Sequence, residues 1–156
     1  MIKKWEDSKK TIHSGDFHGS QNDYDVIDCL ECGFKHVVPI PTASFLEDYY
    51  KNNFVNNRPE GFFKKIEEDE AWWKISYAEK YDMFEKHINK SHPSILDIGS
   101  GLGYFLKDGK ERGWQVTGID PSIESCEYSK SIGVDVVNEY LDEHNYGNLG
   151  KFDVVH

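Results

Sequence analysis

A short apolar segment runs directly into a turn of alternating glycines, and this junction constrains the fold more than any other part of the chain. The segment is residues 95–98, and Gly99, Gly101 and Gly103 follow before a predicted helix. A strand that turns at once into a helix needs backbone angles that a Cβ would block, and glycine permits them. The bare turn also lets a ligand approach the main chain, and the free N–H groups at the start of the helix point into the same space.

A second apolar segment, residues 116–119, ends on the carboxylate of Asp120. In nucleotide-binding α/β units, an acidic residue about twenty positions after the glycine turn hydrogen-bonds a ribose. Dinucleotide-binding turns have the spacing G-x-G-x-x-G, which would require glycine where this chain has Tyr104. The two segments therefore predict a pocket for an adenosine-like cofactor, and the spacing disfavours a nicotinamide-dependent oxidoreductase.

Strands and helices alternate along the last third of the chain. Strands are predicted over residues 95–98, 115–119, 134–137 and 152–155, and helices over residues 103–112 and 122–131. This alternation predicts an α/β fold with a parallel sheet and right-handed crossovers.

Three motifs in this region carry a family resemblance. The pattern Asp97-x-Gly99-x-Gly101-x-Gly103 resembles motif I of class I S-adenosylmethionine (SAM) dependent methyltransferases. Residues 118–122 resemble the acidic motif that follows it, and Phe152–His156 resembles the fourth strand of the family. The resemblance, over about residues 91–156, implies a Rossmann-like sheet, SAM as cofactor and methyltransferase activity.

The resemblance also implies which residues bind the cofactor. Asp97 is expected to order the turn near the methionine end, and Asp120 to accept hydrogen bonds from the ribose hydroxyls, which an ionised acceptor strengthens. A helix N-cap is the alternative role for Asp120, and the two roles are compatible. The other expected cofactor-binding residues supply backbone contact or border the ribose and adenine, and they are Gly99, Ser100, Gly101, Gly103, Pro121 and Ser122, with Tyr140 and Leu141 as further candidates.

The sheet of this family has seven strands, whereas four are predicted up to His156. The resemblance therefore implies a truncated Rossmann-like sheet, which is expected to be inactive alone. Its fourth strand would form an open edge at Phe152–His156, and pairing of two copies in a homodimer would cover that edge. No catalytic base is predicted, because acceptor-side residues of the family usually lie on an N-terminal lid and on loops after strands four to seven.

Two further modules are predicted before the sheet. Residues 1–41 are expected to form a small β-hairpin module, residues 42–92 a helical lid or linker, and residues 93–156 the N-terminal half of the SAM-binding domain. In the middle module, a helix over residues 67–89 carries an aromatic stripe on one face: Trp73, Tyr77, Tyr81 and Phe84, with Ile88. Core packing is the favoured interpretation of this stripe, and a lid over the cofactor is the alternative.

A pair of cysteines lies on the turn of the predicted hairpin, between strands at residues 25–29 and 34–38. Cys29-x-x-Cys32 supplies half of a tetrahedral zinc site, and methyltransferases similar to this chain often carry a zinc-ribbon-like module in this place. The upstream cysteine pair of such ribbons is missing, but histidines are available. A Cys2His2 site is therefore predicted from Cys29, Cys32 and two of His13, His18 and His36, with two free thiols or a redox pair as the alternatives.

The net charge of the chain disfavours some classes of partner. The 156 residues carry 28 acidic and 18 basic side chains, a net charge of −10, which disfavours nucleic acid and anionic membranes as partners. The N-terminus lacks the apolar region of a secretory signal, so a reducing cytoplasm is expected. The leading hypothesis is a methyltransferase acting on a small-molecule or sugar-like acceptor. The alternative is a non-catalytic zinc, assembly or binding module that lacks the acceptor half of the fold.

Overall fold

A computed structural model describes residues 1–7, 9–53 and 58–156. The chain divides into an N-terminal unit of residues 1–47 and a C-terminal unit of residues 48–156. Within the described ranges, no helix combines the length and the apolar character that crossing a membrane requires. The three-part division predicted at residues 41 and 92 stays a prediction.

The N-terminal unit is a four-stranded antiparallel sheet with the strand order β1-β2-β3-β4. Its strands are β1 Ile2–Glu6, β2 Ile12–Gln21, β3 Tyr24–Cys29 and β4 Phe34–Val38. The predicted hairpin corresponds to β3 and β4, whereas β1 and β2 were not predicted. Strand β2 has two glycines and no regular alternation of apolar residues, so its sequence alone carries little strand signal.

Close approach of the backbones explains one of those glycines. Gly15 pairs with Cys29, and a Cβ at position 15 would lie 1.8 Å from the carbonyl oxygen of Asp28. The next connection, between β2 and β3, contains Asn22 at φ 53°, a left-handed conformation that asparagine tolerates better than most residues. Gly15 therefore lets β2 lie close to the Cys29 end of β3, and Asn22 forms the turn at the other end of the pair.

The apolar core of this sheet is small. Its buried cluster consists of Ile27, Cys29 and Val38, and Trp5 and Cys32 pack against it. A core of this size supplies little stability, and small natural domains of this kind usually add a disulfide or a structural metal. All three cysteines of the chain are free, so a disulfide does not supply the missing stability.

Helices connect the antiparallel sheet to the rest of the chain, and the first of them lies at the boundary between the two units, with Asp48 as the first residue of the C-terminal unit. Helix α1 Ala43–Asp48 is followed by a π-helical turn Tyr49–Asn53, α2 Phe62–Glu68 and α3 Glu70–His87. The predicted helix at 67–89 is thus broken at Asp69, which ends α2 and precedes α3. The aromatic stripe mainly joins the core, as predicted, but its first residue, Trp73, is 40% exposed.

A parallel sheet with the strand order β7-β6-β5-β8 completes the C-terminal unit. The remaining elements are β5 Ser94–Ile98, α4 Tyr104–Glu111, β6 Gln115–Ile119, α5 Ile123–Ser131, β7 Val136–Val137, a 3-10 turn Tyr146–Asn148 and β8 Val154–Val155. The predicted α/β fold is confirmed, and β8 pairs beside β5 at one edge of the described sheet. Pairing of a second copy at this edge stays a prediction.

Helix α3 supports the helix that follows the glycine turn. Tyr81 is fully buried, its ring stacks on Phe105 at 4.7 Å, and its hydroxyl donates to the Phe105 carbonyl at 3.1 Å. Gly109 makes room for this contact, because a Cβ there would lie 2.2 Å from the tyrosine hydroxyl. The packing fixes α4, and with it the turn at its N-terminus.

Candidate cofactor and metal sites

The glycine turn joins the ends of two neighbouring strands. All three of its glycines have left-handed backbone angles, with φ 75° at Gly99, 53° at Gly101 and 78° at Gly103. The N–H of Gly99 donates to the carbonyl of Ile119 at 2.8 Å, which ties the end of β5 to the end of β6. The turn therefore depends on glycine for its conformation and presents bare main chain at the carboxyl ends of the strands.

Asp120 links this turn to the start of helix α5. Its carboxylate accepts the Gly101 N–H at 2.8 Å through one oxygen and the Ser122 N–H at 2.9 Å through the other. The N-cap of α5 is Ser122, whose hydroxyl accepts the Ser125 N–H at 3.2 Å. The suggested N-cap role of Asp120 is therefore wrong, because Asp120 lies two residues too early and turns toward the glycines.

A cavity of about 480 Å³ opens beside these residues. This volume is within the range of small-ligand pockets. Several predicted residues line it, together with others that were not predicted: Tyr50, Ile98, Gly99, Gly101, Ile119, Asp120, Pro121, Ser122, Glu139, Tyr140 and Leu141. Tyr50 comes from the π-helical turn, for which the sequence offers no periodic signal.

Three predicted cofactor residues lie outside this lining. Gly103 precedes α4, where a Cβ would lie 2.8 Å from the Cβ of Ser129. Ser100 has a buried hydroxyl with no hydrogen-bond partner among the described residues.

Asp97, the third of these residues, is 5% exposed and accepts a hydrogen bond from His156 Nδ1 at 2.8 Å. Burial raises the pKa of Asp97, and the hydrogen bond and positive charge of His156 act in the opposite direction.

A second site lies in the N-terminal unit. The ligand atoms of His13, Cys29, Cys32 and His36 all lie within 4.8 Å of one another. His13 Nδ1 is 3.7 Å from Cys29 Sγ and 3.4 Å from Cys32 Sγ. Zinc bond lengths and a tetrahedral angle give a nitrogen–sulfur separation of about 3.6 Å, so the observed spacing fits this ion.

His36 completes the donor set from strand β4. Its Nδ1–H donates to the Val37 carbonyl at 2.8 Å, whereas its Nε2 is buried and has no partner among the described residues. A buried nitrogen without a partner destabilises the folded state, and a metal ion bound to it would remove this penalty. The residues present therefore fit a Cys2His2 zinc site.

The two thiols differ in their electrostatic surroundings. Burial acts to raise the pKa of Cys29, but the Cys32 N–H and the neighbouring histidine side chains lower it overall. Burial raises the pKa of Cys32, and the neighbouring Cys29 sulfur raises it further. A divalent cation would relieve the repulsion between two thiolates at this spacing.

His18 is not part of this cluster, which corrects one predicted alternative. It lies five residues after His13 on the same strand, which corresponds to roughly 16 Å in extended chain. Its Nε2 instead lies 3.9 Å from Asp28 Oδ2. The two histidines that join the cysteines are His13 and His36.

Comparisons with known proteins agree with this fold. No family model matches the chain. Over 67 residues it is 34% identical to ubiquinone biosynthesis O-methyltransferase of Escherichia coli O139:H28, a match that covers 39% of this chain and 28% of that protein. A Shigella boydii serotype 18 protein of the same name matches equally. The match thus spans about a quarter of the length of these curated relatives.

A solved structure shows the same architecture. Magnesium protoporphyrin IX methyltransferase from Synechocystis PCC 6803, with bound SAM, aligns with a TM-score of 0.51 at 14% identity, over 76% of this chain and 62% of that one. Its complex with S-adenosylhomocysteine aligns with a TM-score of 0.50 at 16% identity, over 73% of this chain and 57% of that one. At this identity the likeness concerns the fold. Together, sequence and fold confirm the similarity of this chain to class I SAM-dependent methyltransferases.

Proposed function

We propose that the protein is a SAM-dependent methyltransferase that methylates a small-molecule or sugar-like acceptor. The observation that carries the proposal is the contact between Asp120 and the Gly101 N–H at 2.8 Å, on the wall of the cavity. This contact puts a carboxylate acceptor beside bare main chain. Each carboxylate oxygen accepts one backbone N–H here, so further lone pairs remain for two ribose hydroxyls.

The charge of the cavity favours SAM over a nicotinamide dinucleotide. Among the residues that the structure describes, its charged lining residues are Asp120 and Glu139, and no lysine, arginine or histidine lines it. A dinucleotide would bring a negatively charged diphosphate into this space. SAM instead carries a sulfonium and an ammonium group, which negative side chains attract.

In the proposed reaction, the protein mainly aligns the methyl donor with the acceptor. SAM would supply an activated methyl group, to which the acceptor forms a bond as the carbon–sulfur bond breaks and its electron pair stays on sulfur. Asp120 would orient the ribose and the glycine turn would hold the adjacent part of the ligand. Tyr50 and Tyr140 border the cavity and would exclude water from it. Such positioning is the main contribution that a protein makes to an in-line displacement.

A small acceptor is supported by two observations. The names of the relatives refer to methylation in ubiquinone biosynthesis and to a magnesium porphyrin, both of which involve small molecules. The net charge of −10 makes a polyanionic acceptor unfavourable. The acceptor proposed for this protein is therefore an uncharged or weakly charged small molecule.

A transfer assay tests this proposal in the full-length protein that contains this sequence. SAM with a deuterated methyl group is incubated with a catechol, a simple phenol and a free hexose, and mass spectrometry follows S-adenosylhomocysteine and labelled product. We expect labelled product from at least one acceptor and its loss in Asp120→Ala. Binding of SAM without transfer to any acceptor would support the alternative, a non-catalytic binding module.

A second candidate function concerns the N-terminal unit. We propose that His13, Cys29, Cys32 and His36 hold one structural zinc ion, because four ligand side chains converge and the apolar core beside them is small. Four protein ligands would close the coordination sphere, as is typical of structural zinc sites. Free thiols at such a site require reducing conditions, which supports a cytoplasmic location.

A further inference from the structure

A buried histidine of the N-terminal unit lies between the two cysteines and a carboxylate. One edge of the His13 ring presents Nδ1 to both sulfur atoms, at 3.7 and 3.4 Å. The opposite edge presents Nε2 to Asp7 Oδ2 at 3.3 Å. The side chain of His13 is 6% exposed and that of Asp7 is 15% exposed, so this contact is largely shielded from water.

Asp7 is itself held in place by its surroundings. Its other oxygen, Oδ1, accepts the backbone N–H groups of Lys9 at 2.9 Å and Thr11 at 2.7 Å. Its own N–H donates to the Thr11 carbonyl at 2.9 Å. One carboxylate oxygen therefore fastens the connection between β1 and β2, and the other is directed at the histidine.

The chemistry of this contact determines which nitrogen of His13 carries the proton. A carboxylate only accepts hydrogen bonds, so it favours the tautomer with hydrogen on Nε2 and leaves the lone pair of Nδ1 for a cation. His36 shows the same arrangement with its nitrogens exchanged, because Nδ1–H donates to the Val37 carbonyl and Nε2 remains unpaired. Each histidine thus has one nitrogen held by an oxygen and the other directed toward the cysteines.

We infer that Asp7 is a positioning residue of the metal site, which fixes the tautomer and ring orientation of His13 so that Nδ1 binds zinc. This inference rests on the zinc site proposed above and adds a residue that touches no metal. Outer carboxylates of this kind usually contribute about 10- to 100-fold to metal affinity. Asp7 lies outside the Cys-x-x-Cys motif, and no spacing rule in the sequence points to it.

Asp7→Asn removes the acceptor that faces His13 but keeps the acceptor that holds the connection between β1 and β2. The remaining oxygen can still accept from Lys9 and Thr11, whereas the new NH2 group faces the Nε2–H of His13, donor against donor. We expect the dissociation constant for zinc, measured in the full chain by competition with a chromogenic chelator, to rise about 10- to 100-fold. Asp16→Asn, which removes the same charge from an exposed position of β2, should change it less than about twofold.

A double-mutant cycle distinguishes positioning from a general effect on folding. In a His13→Cys background the ligand is a thiolate that needs no tautomer, so Asp7→Asn should change zinc affinity less than about twofold. Persistence of the full loss in that background would overturn the inference, as would equal zinc affinity of Asp7→Asn and Asp16→Asn. Absence of zinc binding by the unsubstituted chain would instead remove the zinc site itself.

The absorption spectrum of the cobalt-substituted chain gives a second readout. Ligand-field bands report the ligand set and geometry of the metal. We expect Asp7→Asn to shift these bands in the His13 chain and to leave them unchanged in the His13→Cys background. Identical spectra of Asp7→Asn and the unsubstituted chain would contradict a role in orienting the ligand.

Discussion

Removal of zinc, by a chelator or by Cys32→Ser, is expected to unfold the N-terminal unit and to leave the C-terminal unit folded. The buried apolar cluster of the N-terminal unit comprises Ile27, Cys29 and Val38, and one of these is itself a proposed ligand. Structural zinc contributes about 10–16 kcal/mol of binding free energy in small zinc domains near neutral pH. This exceeds what such a core supplies, so folding of the unit should depend on the ion.

Hydrogen–deuterium exchange measured by mass spectrometry on the full chain resolves the two units in one experiment. Amide protection in β3 and β4 should disappear with chelator and return when zinc is added, whereas protection in β5 and β6 should persist. Cys126→Ser is the matched control, because Cys126 lies in α5 of the C-terminal unit, contacts the Asp120 carbonyl and is not a member of the zinc cluster. Unchanged protection of β3 and β4 in the chelated protein would contradict the proposed zinc site.

The second large effect is expected at Asp120. Asp120→Ala should weaken SAM binding by about 1.5–3 kcal/mol, the usual contribution of hydrogen bonds to a charged group. This corresponds to a dissociation constant roughly ten to a hundred times higher. Loss of the carboxylate also removes the hydrogen-bond acceptor of the Gly101 and Ser122 N–H groups, so the conformation of the turn is expected to change as well.

Two further variants separate these effects. Asp135→Ala removes an exposed acid that does not line the cavity and should leave SAM affinity within about twofold of the unsubstituted value. Asp120→Asn keeps one carbonyl oxygen, so it should lie between alanine and the native residue. Isothermal titration with SAM, together with the melting temperature of each variant, measures both properties. Equal SAM affinity of all three variants would show that Asp120 does not touch the cofactor.

The parallel sheet was predictable because its signals are local. The strand before the glycines is a short apolar run, and Gly99, Gly101 and Gly103 have the left-handed angles that glycine permits. The antiparallel sheet was only half predicted. Strand β2 owes its place to pairing with β3 and to Gly15, which is a tertiary effect.

The candidate sites were likewise predictable only where the signal in the sequence is local. Gly99, Gly101 and Asp120 line one cavity, but Tyr50 and Glu139 reach it from segments with no distinctive pattern. Among the histidines, spacing along the chain could not select His13 and His36 over His18, because the choice depends on the register of strand pairing, which puts the His13 end of β2 beside Cys29. Asp7 was missed because its role is visible only through its contact with His13.

Calorimetric titration of the full-length protein with SAM and, separately, with NAD tests whether the cavity beside the glycine turn is a SAM site. A cavity with two carboxylates and bare glycine backbone should bind SAM with a dissociation constant at least about tenfold below that of NAD. Equal affinity for the two ligands, or tighter binding of NAD, would contradict the account.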